Sequence, residues 1–278
     1  PCTTLPCGTV QAPVGNGDGS FAYAVAFPGT GGYVATVSGA GLSSVVAEDQ
    51  TDPHDITAPH PVTSAGGTIV WVDGNAILSA PAAGGAATTL VSAEQAGGTI
   101  TSIAASAAGV AWAVRPTAGG TAIGVRSAAG EIATRASEPD TAVATLYSVV
   151  LADDGTVVAM RRTVAKGRQT IQLMAYAADG SSKALLTSVP FGKRDPFEVT
   201  RPTVAGTRVA VRMRGGKGGT RDEIWMADLA SGASARITAV ERSEARLTDP
   251  AFGAGRLVWA RDDLRPLRGR VYSAAVKP

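Results

Sequence analysis

Long apolar runs are missing from this sequence of 278 residues. No stretch approaches the roughly 18 consecutive apolar residues that a membrane-spanning helix needs, so no span is expected. The longest, "TAVATLYSVVLA" from Thr141, contains Thr, Tyr and Ser and stops at "DDG". A strong net charge is missing as well. Lys and Arg total 25 and Asp and Glu 23, which leaves +2, too little to argue for a nucleic-acid partner. Sustained 3.6-residue periodicity is absent, which excludes helical solenoids. Cysteine is scarce. Cys2 and Cys7 lie close together, with no histidine nearby and no second pair, which makes a poor zinc site. They fit a disulfide, and with it an oxidising compartment, better than they fit two free thiols.

The usual marks of catalysis and of cofactor binding are also missing. There is no G-x-S-x-G nucleophile elbow, no C-x-x-C-H haem site and no P-loop. "GGKGGT" at 215–220 is glycine-rich around Lys217 but lacks the G-K-[ST] ending, and it reads as a hairpin tip. No cofactor is expected. Histidine occurs twice, at His54 and His60 in "DPHDITAPHP". With Asp52 and Asp55 these could form an oxygen and nitrogen metal set; as a connection between repeats they could equally be turn residues. Carboxylates sit side by side at Asp153-Asp154, Asp222-Glu223 and Asp262-Asp263. On a strand such neighbours point to opposite faces, so they make poor acid–base partners.

What the chain does have is glycine, proline and repetition. Thirty-four Gly and 16 Pro imply many turns, while 45% hydrophobic content and a mean hydropathy of +0.12 imply a packed core. A proline followed by a glycine-bearing turn and an apolar strand recurs in "APVGNGDGSFAYAV", "HPVTSAGGTIVWV", "RPTVAGTRVAVRM" and "DPAFGAGRLVWA". Pro13 and Pro61 are 48 residues apart, as are Pro202 and Pro250, and two degenerate copies fit between Pro61 and Pro202. Each unit continues with a third strand, and most with a glycine turn and a fourth, as in "EIWMADLASGASARIT" at 223–238. Four short strands repeated about every 46 residues are the mark of a β-propeller. The expected fold is all-β, a single domain 1–278 of six four-stranded antiparallel blades near 9–50, 56–92, 98–137, 141–188, 197–240 and 245–278 plus 1–6. The sixth unit stops after "RVYSAAV", and "CTTLP" at 2–6 is similar to the fourth strand "ATTLV". The N-terminal segment is therefore expected to complete the last blade and close the ring.

The repeat resembles that of the TolB-like propellers, in which an apolar strand ending near an Asp meets a glycine turn and a Leu-Thr or Ile-Thr strand. The match is good over blades five and six and weaker elsewhere. The resemblance implies a six-bladed propeller working in protein–protein contact at the cell envelope. It does not imply a Tol–Pal role, because TolB also carries an N-terminal α/β domain for which this chain has no room.

Charge is distributed unevenly. Residues 1–140 carry three arginines against ten acids, a formal −7; residues 141–278 carry 22 basic groups against 13 acids, a formal +9. Three segments read as basic loops on one face: 161–169, 212–222 and 261–270. They nominate a patch of Arg161, Arg162, Arg168, Arg212, Arg214, Arg221 and Arg265 for a protein partner, for further copies of the chain or for a polyanionic glycan. The expected function is a secreted, periplasmic or cell-surface scaffold without catalysis of its own, self-assembling through its acidic and basic halves. The alternatives are a lyase or hydrolase with its site at the channel mouth near His54 and His60, and a binder of polyanions or carbohydrate.

Overall fold

Glycine turns between apolar strands organise the computed structural model as the repeats require. It describes residues 9–10, 14–15, 21–27, 31–37, 43–49, 62–139, 144–188, 191–192, 200–216, 219–253, 255–264 and 267–276. Strands β1 (Thr9–Val10), β2 (Val14–Gly15), β3 (Phe21–Phe27), β4 (Gly31–Val37) and β5 (Ser43–Asp49) form the first sheet, in the order β1-β3-β4-β5 with β2 also on β3. The second follows chain order through β6 (Val62–Ala65), β7 (Thr68–Asp73), β8 (Ala76–Pro81) and β9 (Thr88–Val91). A single turn of helix, α1 (Ala93–Ala96), leads to β10 (Gly98–Ser106), β11 (Gly109–Pro116), β12 (Thr121–Ser127) and β13 (Ile132–Glu138). The fourth sheet is β14 (Ala144–Leu151), β15 (Val157–Ala165), β16 (Arg168–Tyr176) and β17 (Ser182–Thr187), with β18 (Phe191–Gly192) on β16. The fifth is β19 (Thr203–Ala205), β20 (Arg208–Gly215), β21 (Arg221–Asp228) and β22 (Ser234–Glu241). In the last, β23 (Ala245–Leu247) and β24 (Ala251–Gly253) both pair with β25 (Arg256–Leu264), which pairs with β26 (Leu267–Ala275).

Every pairing with a resolved register is antiparallel, and one irregularity recurs. The ladder between third and fourth strands slips at Val34/Ala35, Ile77/Leu78, Leu173/Met174 and Ile224/Trp225. A bulge there adds twist at the same place in each of these sheets. A second kind of bulge leaves Thr101 extra in β10 and Ser148 extra in β14. Ser148 takes φ of 49°, a left-handed backbone that a serine rarely adopts.

The chain divides into two compact units, Pro1–Thr117 with Gly124–Ala133, and Ala118–Ile123 with Thr134–Pro278. In the first, Ile69, Trp71 and Ala80 pack with Ala22 and Val34. Trp112 is 1% exposed, and its indole Nε1 donates to the carbonyl of Ala96 at 3.3 Å. That carbonyl ends α1, whose Ser92 and Gln95 form a capping box and whose Gly97 closes it at φ 78°. In the second unit Met160, Leu173, Val158, Val209, Val211 and Met213 form one core. Ile224, Leu257 and Trp259 form another, with Trp259 stacked on Tyr272 at 6.1 Å. Second strands such as β11 and β15 are buried on both faces, which is why they read as unbroken apolar runs.

The hairpin at 223–238 shows what the repeat's aspartate does. Asp228 Oδ1 accepts from the backbone N and the Oγ of Ser231, and its Oδ2 accepts from Thr207 Oγ1. Bonds from Ser231, first the backbone and then the hydroxyl, hold the Asp228 carboxyl down to about 2. Gly232, at φ 74°, completes the turn.

All three expected basic loops are largely strand. Lys166 and Gly167, at φ 47° and 79°, make a two-residue turn directly between β15 and β16, because two successive left-handed residues match the twist of a hairpin. Residues 161–165 are therefore ladder positions and not loop tips. Likewise 212–215 and 221–222 belong to β20 and β21, and 261–264 and 267–270 to β25 and β26. The closing segment 2–6, Cys2, Cys7 and the "DPHDITAPHP" segment with His54, Asp55 and His60 lie outside the described residues.

Candidate functional site

Alternation along two paired strands builds a highly charged region of the second unit. On β20 and β21, Met213 lies opposite Glu223 and Arg214 opposite Asp222. The neighbouring carboxylates therefore point to opposite faces of one sheet, and each meets arginines there.

On one face Asp222 is fully buried. Its Oδ1 accepts a hydrogen bond from Arg242 Nη1, and its Oδ2 lies 3.8 Å from Arg212 Nη1 and 3.4 Å from the backbone N of Leu247. The Arg212 side chain is 8% exposed, and its Nε donates to Asp249 Oδ1 at 2.9 Å. Asp249 Oδ2 in turn accepts from the backbone N of Arg201 at 2.9 Å. Two acids thus neutralise two guanidinium groups where the fifth sheet meets β23. Such a network locks geometry and leaves little for an external partner.

On the other face Glu223 is 4% exposed. Its carboxylate accepts from Trp225 Nε1 at 2.8 Å and Arg236 Nη1 at 3.2 Å, and lies 3.5 Å from Arg221 Nη2. Gly215 makes room for it: a Cβ there would fall 2.1 Å from the Glu223 carboxyl carbon. Beside this group opens a cleft of about 230 Å³, walled by Leu186, Thr187, Met213, Trp225 and Arg236.

A third cluster lies on the fourth sheet. Arg161 Nε donates to Glu138 Oε1, and its Nη1 donates to Gln172 at 3.2 Å. The Glu138 bond pushes the Arg161 guanidinium up still further. Arg162 Nε donates to Gln169 Oε1 at 3.1 Å. Burial raises Tyr147, and it pushes Tyr176 up to about 12 against the opposing pull of Arg161. A phenol raised on folding leaves its contribution intact below its ordinary value of 10 and loses it as pH climbs to about 12, because only the unfolded chain ionises freely in that window. Urea unfolding followed across this window should show falling stability, and Tyr176→Phe should flatten the fall.

The described members of the nominated patch do not form one free surface. Arg212 is buried, and Arg161, Arg162 and Arg221 are tied to Glu138, Gln169, Glu223 and Glu241. Arg214 is half-buried on β20. Arg168 pairs through its backbone with Ala165 and Gly192, and its side chain, like the whole of Arg265, lies outside the description. Sequence reading passed over Arg236, Arg242, Asp249 and Trp225. The one signal available was charge at strand positions that alternation turns inward. Among the described residues no three His, Cys, Asp or Glu side chains gather to hold a metal, and no helix is long and apolar enough to cross a membrane.

These successive antiparallel sheets have solved counterparts. The chain aligns over 96% of its length with 83% of the β-propeller domain of the trilobed protease from Pyrococcus furiosus, at 10% identity and a TM-score of 0.63. It covers 75% of an oligogalacturonate lyase solved with manganese, at 12% identity and 0.58, using 96% of its own length. Against a prolyl endopeptidase it uses 97% of its own length, at 13% identity and 0.61, but spans only 42% of that chain. No protein-family model matches the chain, and no curated protein matches it in sequence. The fold is a β-propeller.

The same neighbours overturn one expectation. A non-catalytic, self-assembling scaffold was anticipated, yet the propellers this chain resembles are enzymes or parts of enzymes. The physical reason the expectation misled is the one above: the positive charge of the second half was taken as a free surface, and much of it is held in internal pairs.

Proposed function

We propose that the chain is a six-bladed propeller of TolB-like type, one domain closed by residues 2–6, and that it acts in an enzyme of the lyase or hydrolase class on an anionic saccharide. The observation that carries this reading is coverage: nearly the whole chain aligns with three quarters of an oligogalacturonate lyase. Closure is supported by β26, whose Leu267 and Val271 are 84% and 77% exposed along a strand paired with β25. A further strand would cover them.

His54 and His60 are the only imidazoles in the chain, so proton transfer near neutral pH by a histidine must use one of them. Asp55 between them could orient either ring. The described residues offer no ligand set for the manganese that the lyase was solved with. A Cys2–Cys7 disulfide would place the chain in an oxidising compartment, secreted, periplasmic or at the cell surface.

Turnover tests the reading. Oligogalacturonate is incubated with the chain, with and without manganese. A lyase leaves a carbon–carbon double bond conjugated to the carboxylate, which absorbs in the ultraviolet; a hydrolase leaves new reducing ends without it. Either product, lost in His54→Ala or His60→Ala, supports the proposal. Absence of both products from a folded preparation contradicts it. A second reading, the propeller of a peptidase, is favoured by the 42% span of the prolyl endopeptidase. The chain has no nucleophile elbow of its own, so binding of a proline-containing peptide without cleavage would select it.

A further inference from the structure

The cleft beside Glu223 is a binding site in its own right. We propose that it takes the terminal carboxylate of a small molecule, one ring or one chain end in size. Three observations lead there.

The first is charge. Glu223 is the one acid among the cleft's lining residues, whereas Arg221 and Arg236 both reach its carboxylate. Three arginines, Arg214, Arg221 and Arg236, line the cleft against that one acid, so an anion entering it meets an excess of positive charge; Arg221 is shared with Glu241 at 3.8 Å, which makes Arg236 the main anchor.

The second is geometry. Each guanidinium offers five donors in a planar fork, and carboxylate is the anion that a fork grips with two parallel bonds. Glu223 engages Arg236 through Nη1 and Arg221 through Nη2, and each guanidinium carries further N–H groups beyond those atoms. The Arg236 side chain is 45% exposed, so it can be reached from solvent. Glu223 also fixes Trp225 through its indole N–H, which sets an aromatic wall beside the arginines. The glycine at 215 allows this arrangement, because any side chain there would strike the Glu223 carboxyl group.

The third is size. A volume of about 230 Å³ is below the roughly 300 Å³ at which pockets for drug-sized ligands begin. It would hold about eight waters at their share of the liquid, about 30 Å³ each. A polymer does not fit, but its acidic end does. Leu186, Met213 and Trp225 supply apolar walls for the body of such a group, and Thr187 supplies a hydroxyl.

The same carboxylate chemistry has two sources, a sugar acid or the C-terminus of a peptide. Titration calorimetry separates them with four probes: D-galacturonate, its neutral counterpart D-galactose, an N-acetylated dipeptide with a free carboxylate, and the same dipeptide amidated. Saturable binding of one or both acids, with the neutral partners at least tenfold weaker, is expected, and the acid that binds names the source. Arg236→Ala should weaken that binding at least tenfold, and Arg236→Lys, which keeps a positive charge for buried Glu223 but lacks the planar fork, should weaken it while leaving the unfolding midpoint within a few degrees. Filling the cleft by Thr187→Trp should do the same without touching a charge. Equal binding of acids and neutral partners overturns the proposal, as does no binding by any probe, or binding indifferent to all of these substitutions. The measurement needs no turnover, so its failure and the failure of the enzyme reading are separate results.

Discussion

Asp222→Ala should lower the stability of the second unit by about 3–5 kcal/mol, the range found when one partner of a buried ion pair is removed. The aspartate is fully buried and touches Arg242, Arg212 and the backbone N of Leu247. Its removal takes from Arg212, with a side chain 8% exposed, and from Arg242 the buried carboxylate that both reach. The loss comes from stranded charge and not from missing attraction. It follows that Arg212→Met in the Asp222→Ala background should recover part of the stability. Chemical denaturation of the four proteins in that cycle checks both statements. A single-mutant effect within about 0.5 kcal/mol, the usual range for surface changes, would show that the node is wet and unimportant.

Trp112→Ala should cost about 3–5 kcal/mol in the first unit, the usual range for emptying a buried aromatic site. The ring is 1% exposed and anchored through its Nε1 to the end of α1. Gly124 lies against it: a Cβ at that position would stand 2.2 Å from both Cε2 and Cζ2 of the indole. Gly124→Ala should therefore cost about 1–3 kcal/mol by overpacking. The anchored ring cannot slide away without giving up its bond to Ala96. Trp112→Phe, smaller and unanchored, should make the added methyl at 124 less costly. If the two substitutions prove additive in thermal unfolding, the close approach is not what sets the price.

The sequence shows the sheets well and the site poorly, and the difference is physical. Proline, a glycine turn and an apolar second strand are local signals, and they recur because each sheet must bury a central strand on both faces. Gly66-Gly67, Asp154-Gly155 and Gly232 mark turns that can be read without a structure. Charged residues carry no such local meaning. Arg161 and Arg212 look alike in the sequence, yet Arg212 is buried between Asp222 and Asp249 while Arg161 sits against Glu138, 23 residues away. Only strand register decides which side chain meets which, and a two-residue turn at Lys166-Gly167 turned an expected basic loop into a ladder. Asp222 and Glu223 form the instructive pair. Alternation alone says that they part to opposite faces, and they do, but what awaits each one comes from segments distant in the chain.

Everything proposed for function presumes that the sheets form a closed propeller, and hydrogen exchange at β26 tests this most directly. In a two-stranded pairing with β25 alone, every second backbone N–H of β26 points to open solvent. Closure by residues 2–6 predicts slow exchange at both sets of amides through the middle of β26, and selective loss of protection on the outward set when those residues are deleted. Rapid exchange of the outward set in the intact chain would mean an open edge there, and the closed six-bladed propeller would have to be given up.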